Sequence, residues 1–271
     1  MNSLLADIER AQRRRRLKKK IGIAAAVVFI IAAVAAVFIL FMTPVGDSDV
    51  AVIRVEGTIL TGDFSGGGYA GSEYIGGKVR AAADDPFVSA IVLRVNSPGG
   101  SPAGAQEIVR DIEYARAKKP VVTSMGDVAT SAAYMISAHT DRIYLSPDTM
   151  TGSVGVIWLF SDQSEMLENE GEHVEVVKSG EQKDMTYPYR SLTDDELAYA
   201  QNLVNDSAED FIADVTAQRP VNRSEIESAR LIRGEEAIAI GLADEVGNLY
   251  DAIEGAHTLA AVRSSPGDRP S

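Results

Sequence analysis

The sequence predicts an α/β domain carried behind a single N-terminal membrane-spanning helix. Three observations lead there. An uncharged apolar run of 22 residues follows a basic arm, short β-branched runs read as buried strands, and segments with helical spacing alternate with them.

The arm, residues 1–20, carries Arg10, Arg13, Arg14, Arg15, Arg16, Lys18, Lys19 and Lys20 against Asp7 and Glu9. Residues 21–42 hold no charge and would make a helix of about 33 Å, enough to cross a bilayer core of about 30 Å. The basic side faces the cytoplasm by the positive-inside rule, so everything after Pro44 is expected outside the cell membrane. A cleavable signal peptide would have a shorter apolar stretch and a small-x-small site behind it, and neither is seen. Residues 43–262 then form an extracytoplasmic domain, and the polar residues 263–271 a loose tail.

Within that domain Asp49 to Glu56 alternates and reads as the first strand, and Gly62 to Gly71 as a loop too glycine-rich to pack. Phe87 to Val95 is nearly continuous in apolar residues, which suits a strand covered on both faces of a parallel sheet. Ser101 to Lys118 has helical spacing, with Ala103, Ile108, Ile112 and Ala115 on one side. Pro120 to Ser124, Arg142 to Leu145, Val154 to Trp158 and His173 to Lys178 read as further strands. Ser191 to Glu196 offers capping side chains for a helix that stops before Pro220. Two more helices are expected at Glu235 to Ile240 and Leu249 to Val262.

Charge and composition exclude several functions. Beyond the arm, 18 basic residues face 37 acidic ones, a field that disfavours nucleic acid. That surplus fits a plain acidic surface or adaptation to high salt, since the bases there are 13 arginines and 5 lysines. Absence of cysteine rules out disulfides and thiol catalysis, and no His-Glu-x-x-His spacing suggests a metal, so no cofactor is expected. With three histidines and no evident triad, a nucleophilic serine would need another base, and a desolvated lysine is the usual one.

Two segments could carry such chemistry. In Arg94-Val-Asn-Ser-Pro-Gly-Gly-Ser101 a strand ends in a turn fixed by Pro98, and backbone N–H groups there and at the following helix start favour an anion. Taken alone it is an ordinary strand-to-helix turn. In Gly126-Asp-Val-Ala-Thr-Ser-Ala-Ala-Tyr134 a strand leads through small residues into a helix, and Ser131 at that start would gain from the dipole. Taken alone it is a packing or capping serine. His139 follows Ser131 by eight residues, about 12 Å along one helix, which makes a histidine route the weaker one.

Together with Thr151-Gly-Ser-Val-Gly-Val-Ile157, Lys178-Ser-Gly-Glu-Gln-Lys183 and Gly241-Leu-Ala-Asp-Glu-Val246, these segments resemble the signal peptide peptidase A family. The resemblance runs from Val50 to about Ile253. It implies a Clp protease/crotonase-like domain built of strand-strand-helix units and a membrane-bound Ser/Lys peptidase. By position, Ser131 matches the nucleophile, Lys183 the general base and Ser153 a hydroxyl that orients the lysine, while backbone N–H groups near Gly100 and Ala132 match the oxyanion donors. Lys178 takes a surface or structural role. The family usually carries Ser-Gly-Gly-Tyr where this chain has Ser131-Ala-Ala-Tyr134, so its cleft is expected to be narrower. The base must be a neutral amine, which a lysine of ordinary pKa about 10.4 becomes only in a dry pocket. The resemblance further implies a homo-oligomer whose sites are completed between subunits.

The function expected is therefore an endopeptidase of apolar peptides, remnant signal peptides foremost, with no nucleic-acid partner. Processing of one membrane protein, such as a stomatin-like partner, and a non-catalytic crotonase-like scaffold are the alternatives. A crotonase acting on coenzyme A thioesters fits an outward-facing domain least well.

Overall fold

A computed structural model of the chain describes residues 49–264, together with Ile31, Ala33 and Val34 in a helix. The basic arm 1–20 and nearly all of the expected anchor 21–42 lie outside the described residues, as does most of the expected tail. Among the described residues no helix is long and apolar enough to cross a membrane.

From the N-terminal side, β1 (Val50–Glu56) and β2 (Thr58–Leu60) lead to the hairpin of β3 (Ser65–Gly66) and β4 (Tyr69–Gly71), then α1 (Ser72–Asp84). β5 (Ala90–Ser97), α2 (Pro102–Arg116), β6 (Val121–Thr130), α3 (Ala132–Ala138) and β7 (Arg142–Leu145) follow. β8 (Met150–Gly152), α4 (Ser164–Glu170), a 3₁₀ turn (Glu181–Asp184), α5 (Asp194–Gln218) and α6 (Arg223–Ile226) come next. The chain ends through β9 (Leu231–Arg233), α7 (Gly234–Ala239), β10 (Glu245–Val246) and α8 (Leu249–Ser264).

The main sheet runs β1-β5-β6-β7-β10 with parallel pairing throughout, as expected for an α/β protein, while β8 pairs with the far end of β6 and β9 pairs antiparallel with β8. β5 is buried at Ala90, Ile91, Val92 and Leu93 because both faces are covered. One face packs Val55, Ile91, Leu93 and Val121 against Val79 of α1, Ile108 and Ile112 of α2 and Ile136 of α3. The other face packs Val50, Ala90, Val92, Val122 and Tyr144 against Ala252, Ala256 and Ala260 of α8. Those three alanines recur every four residues, so one smooth stripe of the helix meets the strands closely.

Several elements differ from the reading of the sequence. The glycine-rich stretch 62–71 is not a loop but contributes β3 and β4, which join β2 in a second, three-stranded sheet. Its glycines supply the turn, since Gly66, Gly67 and Gly68 all have positive φ. Helix α1 was not expected from the sequence, because the pair Gly76-Gly77 interrupts its composition, yet Ile75, Val79 and Ala83 at four-residue spacing bury one face. In α2 the buried small residues are Gly104 and Ala105 in place of Ala103, which is exposed. β6 runs on to Thr130, well past Ser124. The expected strands at 154–158 and 173–178 are irregular chain, and Ile157, Val174, Val176 and Val177 stand exposed there with no strand beside them.

Candidate active site

The site begins where β5 and β6 fall out of step. Their register moves from Val95↔Met125 to Ser97↔Ala129, so β6 holds two extra residues in a bulge. The Asn96 side chain fills it, its Oδ1 accepting from the N–H groups of Asp127 (3.1 Å) and Val128 (3.2 Å). Arg94 braces the same stretch by donating through Nη1 to Ser124 Oγ and the Met125 carbonyl, both at 2.9 Å. The motif Arg-Val-Asn-Ser thus sets how far β6 projects before it turns.

Each glycine of Pro98-Gly99-Gly100 answers a different neighbour. Gly99 (φ +102) lies under Ser131, and Gly100 (φ +150) lies against the Ile59 backbone, where any Cβ would collide with the carbonyl. The Ile59 N–H donates to the Gly99 carbonyl and the Ser101 N–H to the Ile59 carbonyl, each at 2.8 Å. The N–H of Gly100 itself takes no part in this bridge.

Ser131 sits between β6 and α3 with φ 55° and ψ −126°, outside the usual region for a residue with a side chain. Such a backbone costs about 1–3 kcal/mol and survives only where its surroundings hold it. Here the Ser131 N–H donates to the Gly152 carbonyl and its own carbonyl accepts from Met135 N–H, both at 2.9 Å. A strand that turns sharply through a positive-φ serine into a helix presents the hydroxyl outward, as in a nucleophile elbow. Ala132 is the first residue of α3, and its N–H has no acceptor within the helix.

Ser153 occupies the matching place on the next strand. Thr130 and Gly152 form the last registered pair of β6 and β8, and each strand then continues into a positive-φ serine, Ser131 at 55° and Ser153 at 51°. The Ser153 N–H donates to the Arg230 carbonyl at 2.9 Å.

A cleft of about 460 Å³ opens beside Ser131. Gly100 and Ala132 line it with Met135, Val156 and Phe211. His139 also lines it from the other end of α3, but its Nε2 is 3.0 Å from Asp214 Oδ2, so the imidazole is committed there. Sequence spacing gave no hint of that partnership, because the carboxylate comes from 75 residues along the chain.

Lys183 does not line this cleft within its own chain. It stands exposed on the 3₁₀ turn Glu181–Asp184. The turn is fixed by the neighbouring residue, since Asp184 is buried and accepts from Arg190 Nη2 (2.7 Å), Lys178 Nζ (3.0 Å) and the Tyr189 hydroxyl. Arg190 reaches on to Glu196, making two hydrogen bonds of 2.8 Å, and Glu196 closes a capping box with Thr193 at the start of α5. The Arg190 guanidinium, with the Tyr189 hydroxyl and Lys178 behind it, holds the Asp184 carboxyl well below the usual range. Glu196 is lowered to about 2, first by Arg190 and then by the Thr193 backbone N–H. Lys178 therefore belongs to the ionic staple that joins the Lys183 turn to α5. Sequence reasoning missed this staple, although Lys-x₄-Lys-Asp followed by Arg and a capping Glu was there to be seen.

A parallel α/β sheet with a cleft at its strand ends, lined by a strained serine, defines a ligand-binding α/β protein. Comparison with known proteins narrows the class. Residues 113–263 match peptidase family S49. Protease 4 of Salmonella typhi is 35% identical over 219 residues, 79% of this chain and 35% of that protein. The chloroplastic serine protease SPPA of Arabidopsis thaliana is 28% identical over 220 residues, 77% of this chain and 32% of that one. A solved structure of the membrane-bound stomatin-specific protease 1510-N with a substrate peptide aligns at TM-score 0.48 and 16% identity, covering 78% of this chain and 81% of that one. The chain belongs to peptidase family S49, the signal peptide peptidase A family. It spans about a third of the length of Protease 4.

Proposed function

We propose that the protein is a membrane-anchored serine endopeptidase that degrades apolar peptides, remnant signal peptides foremost, with Ser131 as nucleophile and Lys183 of a neighbouring copy as general base. The observation that carries this reading is the backbone of Ser131, a non-glycine residue held at φ 55° at the mouth of a cleft shared with Gly100 and Ala132. A strained turn of this kind between strand and helix is how a nucleophile is presented to a cleft.

In the proposed reaction the neutral Lys183 amine takes the Ser131 proton as Oγ attacks the peptide carbonyl. The N–H groups of Gly100 and Ala132 receive the developing oxyanion. The resulting ammonium protonates the leaving amine, and water then hydrolyses the acyl-enzyme by the same route. Ser153 would hold the amine in line.

A base from another subunit is favoured because Lys183 is exposed on its own chain, where no dry pocket surrounds it. Exposed apolar side chains flank the cleft and suit burial against further copies. Ile157, Trp158 and Leu159 edge a groove shared with Leu197, Ala200 and Val204 of α5. The apolar run behind a basic arm would anchor such a ring on the outer face of the membrane, near its substrates.

The test is cleavage of internally quenched apolar peptides by the full chain in detergent, from neutral to alkaline pH, beside Ser131→Ala and Lys183→Ala. Loss of turnover in both variants is expected. Activity that survives both would remove the mechanism, and an inert wild-type protein would favour a scaffold.

A further inference from the structure

The cleft beside Ser131 is not apolar throughout. Its walls near Ala132 are Val109, Met135 and Phe211, but Glu113 of α2 and Asp210 and Asp214 of α5 also line it, against a single guanidinium, Arg110. Three carboxylates in a substrate cleft are unexpected for an enzyme that meets only aliphatic side chains.

His139 shows what this end of the cleft is missing. The ring is buried, only 3% exposed. Nε2 lies 3.0 Å from both carboxylate oxygens of Asp214, which fixes the hydrogen of a neutral imidazole on that nitrogen. Nδ1 then presents a lone pair. It faces Glu113 Oε1 at 3.3 Å, yet the two lack hydrogen-bond alignment and Nδ1 has no hydrogen-bond partner. Nδ1 is thus a buried polar atom without a hydrogen-bond partner beside a carboxylate, and a buried polar atom left so is costly.

We propose that this end of the cleft receives the cationic tip of a substrate lysine or arginine, whose methylene stem lies along Val109, Met135 and Phe211. The ammonium or guanidinium would donate to His139 Nδ1 and Glu113 together, with Asp210 and Asp214 adding to the field. The stem satisfies the apolar walls and the tip the acidic end, as long basic side chains do elsewhere. The inference rests on the reading of Ser131 as nucleophile and makes that site selective. A cation followed by an apolar stretch is also what the start of a signal peptide presents.

The experiment compares quenched peptides that carry lysine, norleucine or glutamate at successive positions around one scissile bond, cleaved by the full chain in detergent. At one position lysine is expected to exceed norleucine in kcat/KM by about tenfold or more, with glutamate poorest. The lysine-to-norleucine ratio should collapse in Glu113→Gln and fall in Asp210→Asn, both exposed positions whose replacement leaves the core intact. Equal rates for lysine and norleucine at every position, or a ratio untouched by both substitutions, would overturn the proposal. If no peptide is cleaved at all, the peptidase reading fails instead. The same peptides, fluorescently labelled, are then titrated against Ser131→Ala protein: tighter binding of the lysine peptide, lost on adding Glu113→Gln, keeps the cationic site, and equal binding removes it.

Discussion

Gly99 lies beneath Ser131 so closely that a Cβ on residue 99 would stand 2.8 Å from the Ser131 Cβ and 2.8 Å from the Thr130 carbonyl oxygen. One obstacle is the Cβ of Ser131, the proposed nucleophile, and the other is backbone, so neither can swing aside. Gly99→Ala is therefore expected to push the elbow out of place and lower kcat/KM by about 100-fold, the usual cost of misplacing a reacting atom by an ångström. Steady-state kinetics beside a thermal melt would check it, and unchanged turnover would mean that the hydroxyl is not held from below.

The strain at Ser131 makes an opposite prediction for stability. Glycine adopts φ 55° without a side-chain penalty, so Ser131→Gly should abolish turnover while raising the folded protein's stability by about 1 kcal/mol, after glycine's own entropic cost is deducted. Denaturant unfolding of the two proteins reads this directly. A clear loss of stability in the glycine variant would show that the serine side chain is structural.

The two lysines of the Lys178 to Lys183 segment should separate cleanly. Lys183→Ala removes the proposed base and is expected to lower kcat by about 10²–10⁴-fold with little change in melting temperature. Lys178→Ala breaks the 3.0 Å pair with buried Asp184, so it should lower the melting temperature and cost turnover less than Lys183→Ala does. The reverse pattern in kinetics would reassign the base.

How much of this was legible depends on the range of the interactions. The strands expected at 49–56 and 142–145 and the long helix expected to stop before Pro220 follow from local alternation, helical spacing and the capping side chains of Ser191 to Glu196, all of which act over a few residues. Ser131 and the glycine turn at 98–100 could be singled out, but the reason for each glycine could not. Gly99 answers Ser131, some thirty residues on, and Gly100 answers Ile59, some forty residues back. The stretch 173–178 misled because its alternating valines lie on exposed chain with no strand partner. The His139–Asp214 pair was invisible for the same reason as Gly99, since tertiary packing alone brings α3 to α5.

The staple around Asp184 gives the protein an acid limit. Glu196 titrates ordinarily near 4.5 and is lowered to about 2 in the folded chain by Arg190 and the Thr193 N–H. A depressed carboxyl contributes stability that is fully present above about 4.5 and is lost as pH falls towards 2. Asp184 is shifted in the same direction by the same guanidinium. Unfolding free energy should therefore drop steeply across that window, and Glu196→Gln should flatten the slope while lowering stability at neutral pH. A slope identical in wild type and variant would place the acid sensitivity elsewhere.

The exposed position of Lys183, outside the cleft that Ser131 enters, leads to the sharpest expectation about assembly. If each site draws serine from one copy and lysine from the next, Ser131→Ala and Lys183→Ala proteins are each inactive alone yet complementary when mixed. In a randomly mixed ring, a Lys183→Ala copy supplies the serine and a following Ser131→Ala copy the lysine. Roughly a quarter of the sites are then complete, because each of two independent choices succeeds half the time. Co-folding the two variants in equal amounts should restore peptide cleavage to about that fraction of wild type, whereas mixing preformed, non-exchanging assemblies should restore none. If both groups came from one chain, co-folding would leave the mixture as inactive as its parts.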